Sequence, residues 1–172
     1  GINTDLGDGI IFSDADKASI GDGRDWQDLV FRDGLIKTHN LSASGGSDDG
    51  NTRYFTSLNY SSHEGIVKDT DLQRYIARLN LSKKVSEKFS FDLNMSVSRL
   101  DDNPSLDNER NNEVSGPVNS SMLYDPTAVI FNPVDDPLRP YFNSNLFNLD
   151  NPLAILEGNK KSTITNRIMT NI

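Results

Sequence analysis

The chain has 172 residues, of which 35% are apolar and 24% charged, with 17 basic against 25 acidic side chains and a net charge of −8. That acidic balance excludes a dedicated nucleic-acid binder, since no basic excess is present to displace phosphate counterions. Cys is absent, which excludes disulfides, thiolate nucleophiles and Cys-ligated metals, and no apolar run approaches the roughly 20 residues of a membrane helix.

Residues 1–37 form a lead-in. Its first 24 positions are rich in Gly and Asp and hold no period. A short helix is predicted at about 25–33: Asp25 can cap it, Trp26, Leu29 and Val30 share a face, and Gly34 supplies a left-handed stop. The chain opens on Gly1 without Met or an apolar leader, and it closes on Asn171-Ile172 inside a strand pattern. The start implies that any signal peptide is missing or already removed, and the end in mid-strand suggests a piece of something larger.

From residue 38 the apolar period changes to two, and strands are predicted at about 38–45, 53–61, 72–83, 88–99 and 162–172. In the second, Tyr54, Thr56, Leu58 and Tyr60 alternate with Phe55, Ser57, Asn59 and Ser61. In the third, Tyr75, Ala77, Leu79 and Leu81 oppose Arg74, Ile76, Arg78, Asn80 and Ser82. The fourth decides the class: Phe89, Phe91, Leu93, Met95 and Val97 alternate without exception with Ser90, Asp92, Asn94, Ser96 and Ser98. Sandwich strands run about 5–6 residues, whereas strands that cross a membrane need about 9–11. The expected fold is therefore all-β, an antiparallel up-and-down meander forming a portion of a transmembrane β-barrel. Its apolar set, Phe89, Phe91, Leu93, Met95 and Val97, faces lipid, while Arg74, Arg78, Asp92 and Asn94 face a wet lumen. In a soluble sheet the same polar side is a solvated face with cross-strand pairs. Arg99, at the outer end of the apolar side, either snorkels to headgroups or marks where the strand stops.

Between strands four and five lies a segment, residues 100–161, that holds all seven prolines. Proline cannot donate to a sheet ladder, so this segregation supports the strands on either side. Asn151 to Gly158 reads as a short helix with an Asn cap, Pro at its first position and Gly at its end. Short barrel turns face the periplasm and long loops face outside. With the 83–88 turn periplasmic, residues 100–161 are expected outside the cell. The segment's aromatic residues include Tyr124, Phe131, Tyr141, Phe142 and Phe147. Of these, Tyr124, Tyr141 and Phe142 are the candidate solute contacts, set against the plainer reading that they pack the segment on itself.

No enzyme is expected. The two histidines, His39 and His63, are a strand and a half apart, and no nucleophile elbow accompanies them. The acidic runs at 47–51, 69–71 and 101–103 miss the spacing of an EF-hand. No metal or cofactor is therefore expected, although an extracellular loop leaves room for one Ca²⁺.

Several runs together resemble the early barrel region of SusC/RagA-type TonB-dependent transporters. They are Asp25-Trp26-Gln27-Asp28, Phe31-Arg32-x-Gly34, His39-Asn40-Leu41-Ser42-Ala43-Ser44-Gly45-Gly46, Tyr54-x-x-Ser57-x-x-Tyr60, Glu64-Gly65-Ile66-Val67, Arg74-Tyr75-x-x-Arg78-Leu79-Asn80-Leu81 and Asn151-Pro152-Leu153-Ala154. The resemblance spans roughly residues 22–172 and implies a bacterial outer-membrane barrel of 22 strands closed by a plug. Such a protein imports oligosaccharides or peptides with a SusD-like surface lipoprotein. It draws energy from TonB–ExbB–ExbD through an N-terminal region that this chain lacks. The expected partners are thus the lipoprotein, the TonB complex and outer-membrane lipid, and not nucleic acid. The alternative from another class is a soluble, secreted β-rich module that binds glycan or protein and buries its apolar face.

Overall fold

The computed structural model describes residues 13–104, 116–144, 149–158 and 160–172. Its elements are α1 (Asp14–Ile20), α2 (Trp26–Val30), β1 (Ile36–Gly46), β2 (Thr52–Glu64), β3 (Asp71–Ser86), β4 (Phe89–Asn103), α3 (Pro117–Leu123), α4 (Pro152–Gly158) and β5 (Thr163–Asn171). Two compact units divide them: Gly1–Val30 with Asp107–Gly158, and Phe31–Leu106 with Asn159–Ile172.

The second unit is one antiparallel sheet in the order β1-β2-β3-β4-β5, the meander that period-two patterning predicts. β1 and β5 are its edges. β2, β3 and β4 run 13, 16 and 15 residues, longer than expected at nearly every end. The turn predicted at 83–88 contracts to Glu87-Lys88, because β3 continues to Ser86 by inserting a bulge between Lys84 and Ser86. A bulge absorbs one residue that strict alternation cannot place. Asp101, Asp102 and Asn103, expected in the long segment, instead extend β4 and pair with Gln73, Leu72 and Asp71.

A short strap precedes β1. Phe31 bridges Val67, the Arg32 amide donates to the Ile66 carbonyl at 2.7 Å, and the Arg32 guanidinium donates to the carbonyls of Gly65 and Thr70 at 3.1 and 2.9 Å. Gly34 is not the helix stop predicted for it, since α2 ends at Val30. A Cβ on Gly34 would stand 2.5 Å from the Glu64 carbonyl oxygen, so the strap lies too close to β2 for any side chain there.

The first unit is built on α2, α3 and α4. Asp25 Oδ1 accepts from the amides of Gln27 and Asp28 at 2.9 and 3.1 Å, the cap the sequence predicts for α2. Its core is Trp26, Tyr124, Ala128 and Leu149, with Leu29, Ile130 and Phe142 packed against them. Asn151 is fully buried: its amide nitrogen donates to the carbonyls of Ile130 and Phe142 at 3.1 and 2.9 Å, and its Oδ1 accepts from Leu153 at the start of α4. Neither α1 nor α3 is foreseen by periodicity. Among the described residues no helix is long and apolar enough to cross a membrane.

Candidate functional site

Side chains directly opposite one another in an antiparallel ladder share a face, so the register fixes both surfaces of the sheet. One row across all five strands is Leu41, Leu58, Ala77, Val97 and Ile168. The next is Ala43, Thr56, Leu79, Met95 and Thr170, and beyond it stand Tyr54, Leu81 and Leu93. Phe91 lies one alternate position further along β4, opposite Lys83, and strand alternation adds Phe89. The five residues expected to face lipid, Phe89, Phe91, Leu93, Met95 and Val97, thus continue an apolar face shared by every strand.

Aromatic rings border that belt. Tyr60 and Tyr75 lie with ring centroids 4.9 Å apart, and His39 stacks on Tyr60 at 6.1 Å. Beyond them come charges. Arg99 Nε contacts Asp101 at 3.1 Å, and Lys37 contacts Glu64 at 3.7 Å. From Phe89 to Arg99 is about 33 Å along the strand at about 3.3 Å per residue. At the usual barrel tilt this rises about 25 Å, the height of an outer-membrane apolar band.

Nothing within the second unit covers the belt among its described residues. Leu41 is 70% exposed, Leu58 56% and Ile168 71%. The whole second unit buries a single described residue, Val67 in the β2–β3 loop. A soluble sheet hides one face under a second layer, and this sheet hides neither.

The opposite face is polar. Arg74, Arg78, Asp92 and Asn94, the candidates for a lumenal surface, all fall on it: Arg78 lies between Ser57 and Ser96, Asn80 opposite Asn94, and Ser82 opposite Asp92. Asn59 bonds Asn40 across the β1–β2 ladder, and the Ser82 hydroxyl donates to Asp92. The register adds Arg53, Lys84 and Arg167. Arg53 and Arg167 lie inside predicted strands, and the same period-two count adds Lys84 once β3 is extended to Ser86. His63 also lies on this face, opposite Leu72, whereas His39 lies on the other, so the two histidines share no site.

In the first unit the three aromatic candidates separate. Tyr124 is 4% exposed and meets Trp26 edge-on at 4.7 Å. Its hydroxyl donates to the Phe142 carbonyl at 2.7 Å and accepts from the Ser144 amide at 2.8 Å. Burial raises its pKa. Tyr124 therefore offers no free ring to a solute; it is core, which corrects the expectation for it. Phe142 is half-buried against the same core. Tyr141 is half-buried too and stacks on the exposed Phe131 at 5.6 Å. Partial burial, then a hydrogen bond to Glu157, push its pKa up to about 12. Phe147 lies outside the described residues.

The acidic run at 47–51 is a closed turn. Asp49 is engaged by the Ser47 hydroxyl, the Asn51 amide and the Asn51 side chain. These bonds, that from Ser47 foremost, hold its carboxyl down at about 2. Among the described residues no three His, Asp or Glu side chains are grouped to hold a metal.

A meander greasy along one whole face, bordered by aromatic rings, and lined on the other by Ser, Asn and Arg is the wall of an outer-membrane-type β-barrel. The comparisons with known proteins agree. No family model matches the chain. Two TonB-dependent receptors of Formosa agariphila are 38% identical over 77 residues and 35% over 71, covering 45% and 41% of this chain. The TonB-dependent receptor SusC of Bacteroides thetaiotaomicron is 25% identical over 171 residues, covering 86% of the chain. The chain spans only 8%, 7% and 16% of the lengths of these receptors. It is similar over those stretches to the SusC-type TonB-dependent receptors.

Proposed function

We propose that this chain forms a section of the wall of a TonB-dependent nutrient importer in a bacterial outer membrane. The observation that supports this reading most directly is the uncovered apolar face, with Leu41, Leu58 and Ile168 each more than half exposed across a band of membrane height. The alternative, a soluble binding module, needs a second layer over that face, and the described residues of the second unit supply none.

In this reading Phe89, Phe91, Leu93, Met95 and Val97 contact lipid tails, while Arg74, Arg78, Asp92 and Asn94 line the passage. The 87–88 hairpin faces the periplasm, and residues 104–162 lie outside the cell. There Tyr141, Phe142 and the Phe131 ring that Tyr141 stacks on are the contacts left for an oligosaccharide or peptide, or for a SusD-like lipoprotein. Energy comes from the TonB complex acting elsewhere in the protein, and no covalent chemistry is assigned to these residues.

Cell fractionation tests the proposal. The native protein is expected in the outer-membrane fraction, extracted only by detergent, with solute uptake abolished when TonB is deleted. Recovery as a soluble monomer, or uptake indifferent to TonB, overturns it.

A further inference from the structure

The two faces of the sheet differ in charge as well as in polarity. On the apolar face, Lys37, Lys83 and Arg99 balance Glu64, Asp71 and Asp101, all beyond or at the margins of the belt. On the polar face, Arg53, Arg74, Arg78, Lys84 and Arg167 stand against Asp92 and Asp102 alone. The surplus is therefore three positive charges (five minus two), in a chain whose net charge is −8. The one surface that a barrel would turn to its passage has the sign opposite to the chain as a whole.

The cations are also distributed. Along β3, Arg74, Arg78 and Lys84 are separated by about 13 and 20 Å at about 3.3 Å per residue. Arg53 and Lys84 line a hollow near the 87–88 hairpin together with Lys88 and one acid, Glu87, and Arg167 adds a cation on β5. Among the described residues none of these strand cations has an ion-pair partner, and Asp92 is already engaged by Ser82. Neutral donors fill the intervals, with Ser57 and Ser96 on either side of Arg78. Guanidinium groups bind carboxylate and sulfate by paired hydrogen bonds, and a passage wall of one sign concentrates ions of the other.

We infer that the polar face selects anionic solutes, oligomers bearing carboxylate or sulfate groups. The inference rests on the importer reading and deepens it. It is tested on the native protein purified in detergent, by calorimetric titration with an oligogalacturonate, a sulfated oligosaccharide, an oligoglutamate and a neutral malto-oligosaccharide. At least one anion is expected to bind, ever more weakly as salt rises, and the neutral chain is not. Arg74→Gln with Arg78→Gln is expected to weaken that binding roughly tenfold, the loss of about one charge-assisted contact, and the matching pair of Arg→Lys changes to retain most of it. Should the double variant fail to fold, Lys84→Gln is titrated in its place. Neutral and anionic chains binding alike, no anion binding, or affinity unmoved by the substitutions each overturn the inference. Loss of melting temperature with unaltered affinity overturns it as well, because the cations then pair with acids of the protein itself. These results leave the importer reading standing, since only the fractionation and TonB dependence bear on that.

Discussion

Asp49 and Asn151 show how single polar side chains decide local order in this chain. Asp49 gathers three hydrogen bonds in the β1–β2 turn, and its carboxyl is lowered from 3.8 to about 2. A carboxyl depressed by folding stabilises the folded turn fully above its unfolded value and loses that contribution as pH falls through the folded one. The turn is therefore expected to loosen between pH 4 and about 2, seen as faster amide exchange at Asn51 and Thr52, and Asp49→Ala is expected to abolish that pH dependence. Asn151 presents the opposite case, a buried amide whose removal takes one of two donors from each of the Ile130 and Phe142 carbonyls, which keep the Phe142 amide and the Tyr124 hydroxyl respectively. Asn151→Ala is expected to cost about 0.5–1.5 kcal/mol per hydrogen bond lost, read as protease sensitivity confined to 116–158 while the sheet stays intact.

At the scale of the element, residues one position apart on a strand stand on opposite faces of the sheet. Val97 sits in the middle row of the apolar face and Ser96 beside Arg78 on the polar one. In a bilayer Val97→Arg is expected to destabilise by about 2–4 kcal/mol, while Ser96→Arg is nearly neutral. Urea unfolding of the native protein in lipid vesicles distinguishes them, and equal costs would argue against lipid on the Val97 side. This two-sidedness was legible in the sequence because period two is a property of the strand backbone itself. The strand ends were not. Asp101-Asp102-Asn103 has a loop composition, and only pairing with Asp71-Leu72-Gln73 makes it strand. The bulge at Val85 likewise breaks the alternation that patterning relies on. Lys84 lies beyond the predicted end of the third strand, whereas Arg53 and Arg167 fall inside predicted strands, where the same parity places them on the polar face. Tyr124 was illegible for another reason. An aromatic residue in a Pro-rich stretch reads alike whether exposed or packed, and what buries it is Trp26, whose indole donates to Asp125, 99 residues on. The short helices α1 and α3 carry no amphipathic period, and α3 begins at Pro117 behind a positive-φ Gly116.

Taken whole, the second unit departs from the rule by which soluble proteins are built, since it has two broad faces and a core of one buried described residue, Val67. The first unit obeys the rule in miniature, closing Trp26, Tyr124 and Leu149 around a saturated amide. β1 and β5, the margins of the meander, carry a further implication. Along its outer side each presents a row of amides and carbonyls with no ladder partner among the described residues. In water such rims recruit any extended peptide they meet, and in hydrocarbon each bare group costs several kcal/mol. Synthesis of this polypeptide thus creates sticky margins before any shelter exists for them. Until both margins are capped, the chain is expected to aggregate through them.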